Sequence, residues 1–350
     1  MPQLPELVQA LLNPKAYPET PPQGIELVQT QMSFVFLTDD YVYKVKKPVN
    51  LGYLDYTTLD RRHFYCQREI ELNRRLCPDA YLGVVPISRD KGNISIEGQG
   101  EVIEYAVKMR RLPQQAMMNV LLAGNQVSSQ MVTSLAQKLV EFHQQAETNA
   151  NISAFGNLDA ITQNTEENFT QTEKYIGNTI SQEKYQRIKD YTDSFIGKNA
   201  SLFRKRITGG RIRDCHGDLR AAHICFLFNL KTESSLKSRL IDGICIYDCI
   251  EFNDRFRYCD VASEVAFLAM DLDRYRRAAL SQSFVNAYVN RSRDKELLEL
   301  LNFYKCYRAY VRGKVESCKL DDPYISEEEK TKTLAVARRY FDLAESYVET

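Results

Sequence analysis

Strand-like segments crowd into the first third of this chain, and helix-like segments fill nearly all of the rest. Residues 25–31, 33–37 and 41–47 read as strands, with Thr38-Asp39-Asp40 as the turn between the last two. Residues 57–76 switch to the helical period, with Glu69, Leu72 and Leu76 on one face. Two more strands are expected at 83–88 and 102–109, separated by a Gly/Asp/Lys-rich turn region. After Leu112-Pro113 the pattern is mostly helical, with an Asn/Thr/Gln-rich stretch at 147–165 that reads as loop at its start and two short apolar strands, 223–228 and 240–247, joined by a polar loop at 229–239. Strands segregated from helices argue for an α+β fold in two lobes. The expected organisation is an N-terminal helix (4–13) and linker over 1–23, a sheet-bearing N-lobe over 24–112, and a helical C-lobe over 113–350.

The bulk numbers narrow the function classes. Hydrophobic residues make up 44% of 350, enough for a sizeable core. Lys+Arg and Asp+Glu are both 46, so no basic excess points to nucleic acid as a partner. No run approaches the ~20 apolar residues of a membrane helix, so no membrane partner is expected. The start, Met1-Pro2-Gln3-Leu4-Pro5-Glu6, lacks the basic head and apolar stretch of a signal peptide. The nine cysteines are scattered and contain no Cys-x-x-Cys pair. They read as reduced core thiols of a cytoplasmic protein.

The chemistry concentrates in two segments. One is Asp214-Cys215-His216-Gly217-Asp218-Leu219-Arg220-Ala221-Ala222-His223. The other is Tyr247-Asp248-Cys249-Ile250-Glu251-Phe252-Asn253, at the end of an apolar strand. Phosphoryl transfer needs a base near the attacking hydroxyl, metal ligands on the phosphates, and a cation to offset their charge. A loop carboxylate, a ligand five positions later and a strand-terminal carboxylate supply such a set.

His216-Gly217-Asp218 resembles the catalytic loop of the aminoglycoside phosphotransferase and choline kinase-like families, which have the two-lobed protein-kinase-like fold. The resemblance implies that Asp218 is the base, that Arg220 contacts the transferring phosphate, and that Asp248 binds the metal. Asp260-Val261-Ala262-Ser263-Glu264-Val265-Ala266 resembles the stretch that follows in those kinases, with Asp260 capping a helix and bracing the loop. A bacterial branch of the family resembles this chain over roughly 5–345. The residues that carry that likeness include Tyr43-Lys44-Val45-Lys46-Lys47-Pro48, Glu71-Leu72-Asn73-Arg74-Arg75-Leu76 and Asp248-Cys249-Ile250-Glu251-Phe252-Asn253-Asp254. Some of its members carry a fused P-loop ATPase domain. Without a Gly-x4-Gly-Lys-Ser/Thr motif, this chain reads as a stand-alone version.

By the same resemblance, Lys44 holds the α/β phosphates and Glu69 is its ion-pair partner. Lys46 shares the strand face of Lys44, and Glu71 is the alternative to Glu69. Two features depart from the kinase pattern. The expected phosphate loop, Gln29-Thr30-Gln31-Met32-Ser33-Phe34, has no glycines, leaving Ser33 as a donor to phosphate. Position 223 is His where the pattern has Asn, so either His223 neighbours a metal ligand, or the second metal site is altered, with His223 as a ligand, or absent. Imidazole there favours Mn²⁺ beside the expected Mg²⁺. The reading is ATP-dependent phosphorylation of a small-molecule hydroxyl. A non-catalytic nucleotide-binding pseudokinase is the alternative, and a protein kinase ranks behind both. His143, Arg255, Arg257, Glu251 and Asn253 are open between structural and ligand roles.

Overall fold

The computed structural model describes residues 4–18, 21–227, 243–322 and 325–348. In chain order the first elements are α1 (Glu6–Leu11), β1 (Glu26–Gln29), β2 (Ser33–Leu37), β3 (Tyr41–Lys46), α2 (Leu59–Arg74), β4 (Tyr81–Asp90), β5 (Asn93–Ile96) and β6 (Glu101–Arg110). The middle holds α3 (Met118–Ala123), α4 (Ser129–Gln145), α5 (Ala150–Ser153), α6 (Leu158–Thr172), α7 (Gln182–Lys198) and α8 (Ala200–Thr208). Then come β7 (Ile212–Asp214), β8 (Ile224–Phe226), β9 (Ile244–Ile246) and β10 (Tyr258–Asp260). The chain closes with α9 (Val261–Arg274), α10 (Ala278–Ser292), α11 (Leu297–Cys318) and α12 (Glu327–Ser346). The polar loop expected at 229–239 lies outside the described residues.

Two compact units interleave in sequence: residues 1–121 with 222–254, and residues 122–221 with 255–350. The first is built on an antiparallel sheet of order β1-β2-β3-β6-β4-β5. Alternation along β3 sends Tyr43 and Val45 into a core with Val8, Leu11, Tyr17, Phe34 and Phe36. Lys44 and Lys46 therefore point to the opposite face. On α2, Cys66 and Ile70 join a second core with Tyr81 and Val107. The sheet has six strands where five were expected, because residues 93–96 form β5. Lys91 and Gly92 both have positive φ, 46° and 86°. They make the tight two-residue turn of a twisted hairpin. A four-residue strand directly after such a turn shows too little alternation to stand out.

One cysteine expectation is corrected. Cys77 and Cys245 form a disulfide across 168 positions. The other seven are free thiols. The bond ties the segment after α2 to the middle of β9.

The second unit packs around α9, whose residues 261–272 are all buried. A helix covered on every side needs few charged residues, and those present must be paired. Phe267 and Met270 of α9 meet Tyr185, Ile188, Tyr310, Tyr340 and Phe341 in one core. Tyr310 and Tyr340 are thus packing residues. β7 and β10 pair as a two-stranded ribbon. Neither three-residue strand carries the continuous apolar run that marked β8 and β9. Arg257 is buried and paired with Asp214, and Arg255 bonds Glu167 and Asn164. Both are structural ties. Among the described residues, no helix is long and apolar enough to cross a membrane.

Candidate active site

In the first unit, β3, α2 and the turn after β9 bring charged side chains into one network. Lys44 Nζ lies 2.9 Å from Glu69 Oε1 and 2.8 Å from Asp248 Oδ1. Lys46 Nζ lies 2.7 Å from Glu69 Oε2 and also pairs with Glu251. Tyr56 donates to the same Glu251 oxygen at 2.7 Å. The two lysines thus share Glu69, but their surroundings differ. Lys46 is 1% exposed and closed in by Glu251 and Tyr56, whereas Lys44 faces Asp248, whose side chain is 42% exposed. Lys44 stands at the open end and Lys46 at the sealed end. Burial opposes charge on both lysines, yet the carboxylates around them raise both pKa values well above the ordinary range. Burial alone would raise the Glu251 pKa, but Lys46 holds it below its usual value. Glu71 is exposed and pairs with Arg68, so it takes no part.

Asp248 has a left-handed backbone, with φ 61°. Asp tolerates that region better than most residues, but it still needs support. The Asp248 N–H donates to the Tyr81 hydroxyl at 3.1 Å, and the Cys249 N–H donates to Asn73 Oδ1 at 2.9 Å. Asn73 lies one helical turn after Glu69 and donates to its carbonyl. One face of α2 therefore sets both the carboxylate beside Lys44 and the turn that presents Asp248. His223 Nε2 is 3.6 Å from Asp248 Oδ2. Ser33 is 2% exposed at the β1–β2 turn, directly across from Lys46 in the sheet register. That turn is held by Thr30, whose hydroxyl accepts from the Ser33 N–H. Among the described residues, Ser33 makes no hydrogen bond to Lys44 or Asp248.

In the second unit, the loop after β7 carries Asp218 and Arg220. Arg220 grips Asp218 through two bonds of 2.7 Å, in fork geometry. Burial works against the Arg220 charge, but Asp218 raises its pKa overall. Gly217 has φ 90°, a conformation that strains any side-chain-bearing residue. Glu264 of α9 accepts from the N–H groups of His216 and Gly217, at 2.7 to 3.0 Å. His143 bonds Glu264 at 2.8 Å and the Tyr288 hydroxyl at 2.7 Å. Seven positions on, Asp271 accepts from the Ala221 N–H at 2.9 Å. α9 thus clamps the loop at both ends. Asp260 does cap α9, accepting from Ala262, and is otherwise engaged by Arg206. The bracing expected of it falls to Glu264.

Burial pushes the Glu264 pKa up, but His143 and the loop amides outweigh it and hold the group at about 2. A folded-state pKa below the ordinary 4.5 means the stabilisation is complete above that pH and fades as the pH falls toward 2. Glu264→Gln is expected to lower stability at neutral pH and to flatten this acid limb, as read by urea unfolding from pH 5 to pH 2, roughly the span that linkage sets.

Sequence reasoning missed Tyr56, Asn73, Tyr81 and Asp271. Tyr81 opens a strand, and Asn73 lies inside a motif already noted. Their spacing from Asp248 carried no signal.

No protein-family model matches the chain. An uncharacterised protein of Mycobacterium tuberculosis and one of Mycobacterium bovis are each 33% identical over 302 residues, 86% of this chain. The chain spans 56% of their length. Among solved structures, an amicoumacin kinase in complex with AMP-PNP, Ca²⁺ and Ami is similar at a TM-score of 0.54 and 13% identity. The match covers 96% of this chain and 92% of that one. A putative aminoglycoside phosphotransferase from Ralstonia eutropha gives 0.49 and 11%, over 98% of each chain. The likeness to the amicoumacin kinase shows that the chain has the protein-kinase-like fold.

Proposed function

We propose that this chain transfers the γ-phosphoryl group of ATP to a hydroxyl of a small molecule. The observation that carries the reading is Lys44, bridging buried Glu69 and half-open Asp248. Glu69 is fully buried and also bound by Lys46, so it holds Lys44 without being drawn away. Lys44 is the phosphate-binding cation, and the sealed Lys46 is the structural one. Asp248, an exposed hard oxygen donor with His223 beside it, suits a divalent cation, Mg²⁺ or Mn²⁺. When bound, that cation supplies neutralisation of phosphate charge.

In the second unit, Asp218 orients the acceptor hydroxyl and takes up its proton. A carboxylate offers about four lone-pair sites, so Asp218 can accept from the hydroxyl while Arg220 keeps its grip. Arg220 places a fixed positive charge beside the reacting oxygen. The loop that carries both residues is held by backbone bonds and does not have to organise at the moment of reaction. ATP as donor assigns the work to the cytoplasm.

The test is thermal stability with ATP, with and without Mg²⁺ or Mn²⁺, in wild type and Asp248→Asn. Ligand at ~100 Kd adds about 2.7 kcal/mol, a rise of roughly 1–3 °C for a chain this long. A metal-dependent rise that disappears in Asp248→Asn is expected. No rise in any condition sinks the nucleotide site. A larger rise with Mn²⁺ makes His223 a ligand. The glycine-free, tightly closed turn at Thr30 favours a second reading, a non-catalytic nucleotide-binding regulator. It predicts the same rise with no ADP release across a panel of alcohols.

A further inference from the structure

Around the loop of Asp218, the second unit gathers more positive charge than holding that loop requires. Arg308 of α11 is 7% exposed and donates to the Gly217 carbonyl at 3.4 Å and to Ser263 at 3.1 Å. Among the described residues, none of its bonds is to a carboxylate. Arg312 lies one turn further along α11. Its Nη2 bonds Glu316 at 2.7 Å, while its buried Nε has no hydrogen-bond partner among the described residues. Glu316 is also shared with Lys319, at 2.6 Å. Arg274 bonds Asp271 at 2.9 Å. The Arg274 and Arg312 guanidiniums flank the ring of Tyr340, at 5.4 and 5.9 Å from its centroid.

Four guanidiniums (Arg220, Arg274, Arg308 and Arg312) and Lys319 therefore stand against four carboxylates, Asp218, Glu264, Asp271 and Glu316. A buried donor without a partner costs free energy unless something accepts from it. Guanidinium is the cation best suited to oxyanions, because its fork matches two oxygens at once. A polycationic acceptor would meet repulsion in the same place.

We propose that the acceptor is a small-molecule alcohol bearing an oxyanion, a phosphate, sulfate or carboxylate, which Arg312, Arg274 and Arg308 hold next to Asp218. This deepens the phosphotransferase reading and rests on it only for the hydroxyl at Asp218. The anion site stands on these arginines alone.

The experiment titrates inorganic phosphate, as the probe, into wild type, Arg312→Gln and Arg312→Lys by calorimetry. Each titration runs with and without saturating AMP-PNP and Mg²⁺. Wild type is expected to bind phosphate saturably in both conditions. Arg312→Gln weakens that binding about tenfold, the typical worth of one charge-assisted hydrogen bond. Arg312→Lys falls between, because it keeps the charge and loses the buried Nε donor. Arg274→Gln, at a side chain 32% exposed, serves if Arg312→Gln does not fold. The proposal is overturned if wild type shows no saturable binding, if the variants bind equally, or if AMP-PNP displaces the phosphate. AMP-PNP binding read in the same samples keeps the two ideas apart. Its absence sinks the phosphotransferase reading and leaves the phosphate result standing.

Discussion

Asp218→Asn is expected to lower the rate of ADP release by about 10²–10⁴-fold, the usual worth of a positioned general base. Asn fills the same space and still offers one oxygen to Arg220, so the loop held by Glu264 and Asp271 keeps its course. What disappears is the capacity to take a proton and to anchor both arms of the Arg220 fork. ATP affinity should stay within about twofold, because Lys44, Glu69 and Asp248 form their own network without Asp218. Initial rates and ATP titrations on the same preparation measure both. A variant that keeps more than about a tenth of the wild-type rate contradicts the role of Asp218 as base. A matching loss of ATP affinity would instead make Asp218 part of the donor site.

The second large effect concerns stability. Arg206 is fully buried and binds Asp260 through two bonds of 2.8 and 2.7 Å, and Asp294 through a third of 2.5 Å. Both aspartates are themselves buried. Arg206→Met removes the cation and leaves two carboxylates without it in a dry interior. Breaking a buried ion pair in this way costs about 3–5 kcal/mol. Urea unfolding at neutral pH reads it. A deficit under about 1 kcal/mol contradicts the account.

Much of the fold was legible because the deciding signals are local. Alternation marked β2 and β3, and the helical period marked α2 and α4. Pattern failed at three of the shortest elements, whereas β8 and β9, equally short, showed as continuous apolar runs. β5, β7 and β10 exist because neighbours pair with them, and no periodicity shows in so few positions. The candidate site divides the same way. Lys44, Glu69, Asp248, Asp218 and Arg220 fall in recognisable motifs, and the structure brings the first three together and the last two together. Asn73 and Tyr81 act on a peptide more than 160 positions away, a separation printed in no local pattern. The choice between Lys44 and Lys46 turned on burial, which the sequence could not supply for two lysines on one strand face.

The interleaving of the two units sets a timetable for synthesis. Residues 222–254 belong with the unit whose sheet ended at Arg110, some hundred residues earlier. Lys44 has to wait for a partner 204 positions downstream. At ~5–20 residues per second, that gap is about 10–40 s of ribosome time. Throughout it, the emerging sheet holds Lys46 and Glu69 together without Glu251 to complete the group, and lacks the strand that will carry Asp248. The nascent chain therefore emits only the first part of its second unit, 122 to 221, while the first unit is still open; that part waits in turn for α9, and the Lys44 cluster is completed when residues 222–254 return.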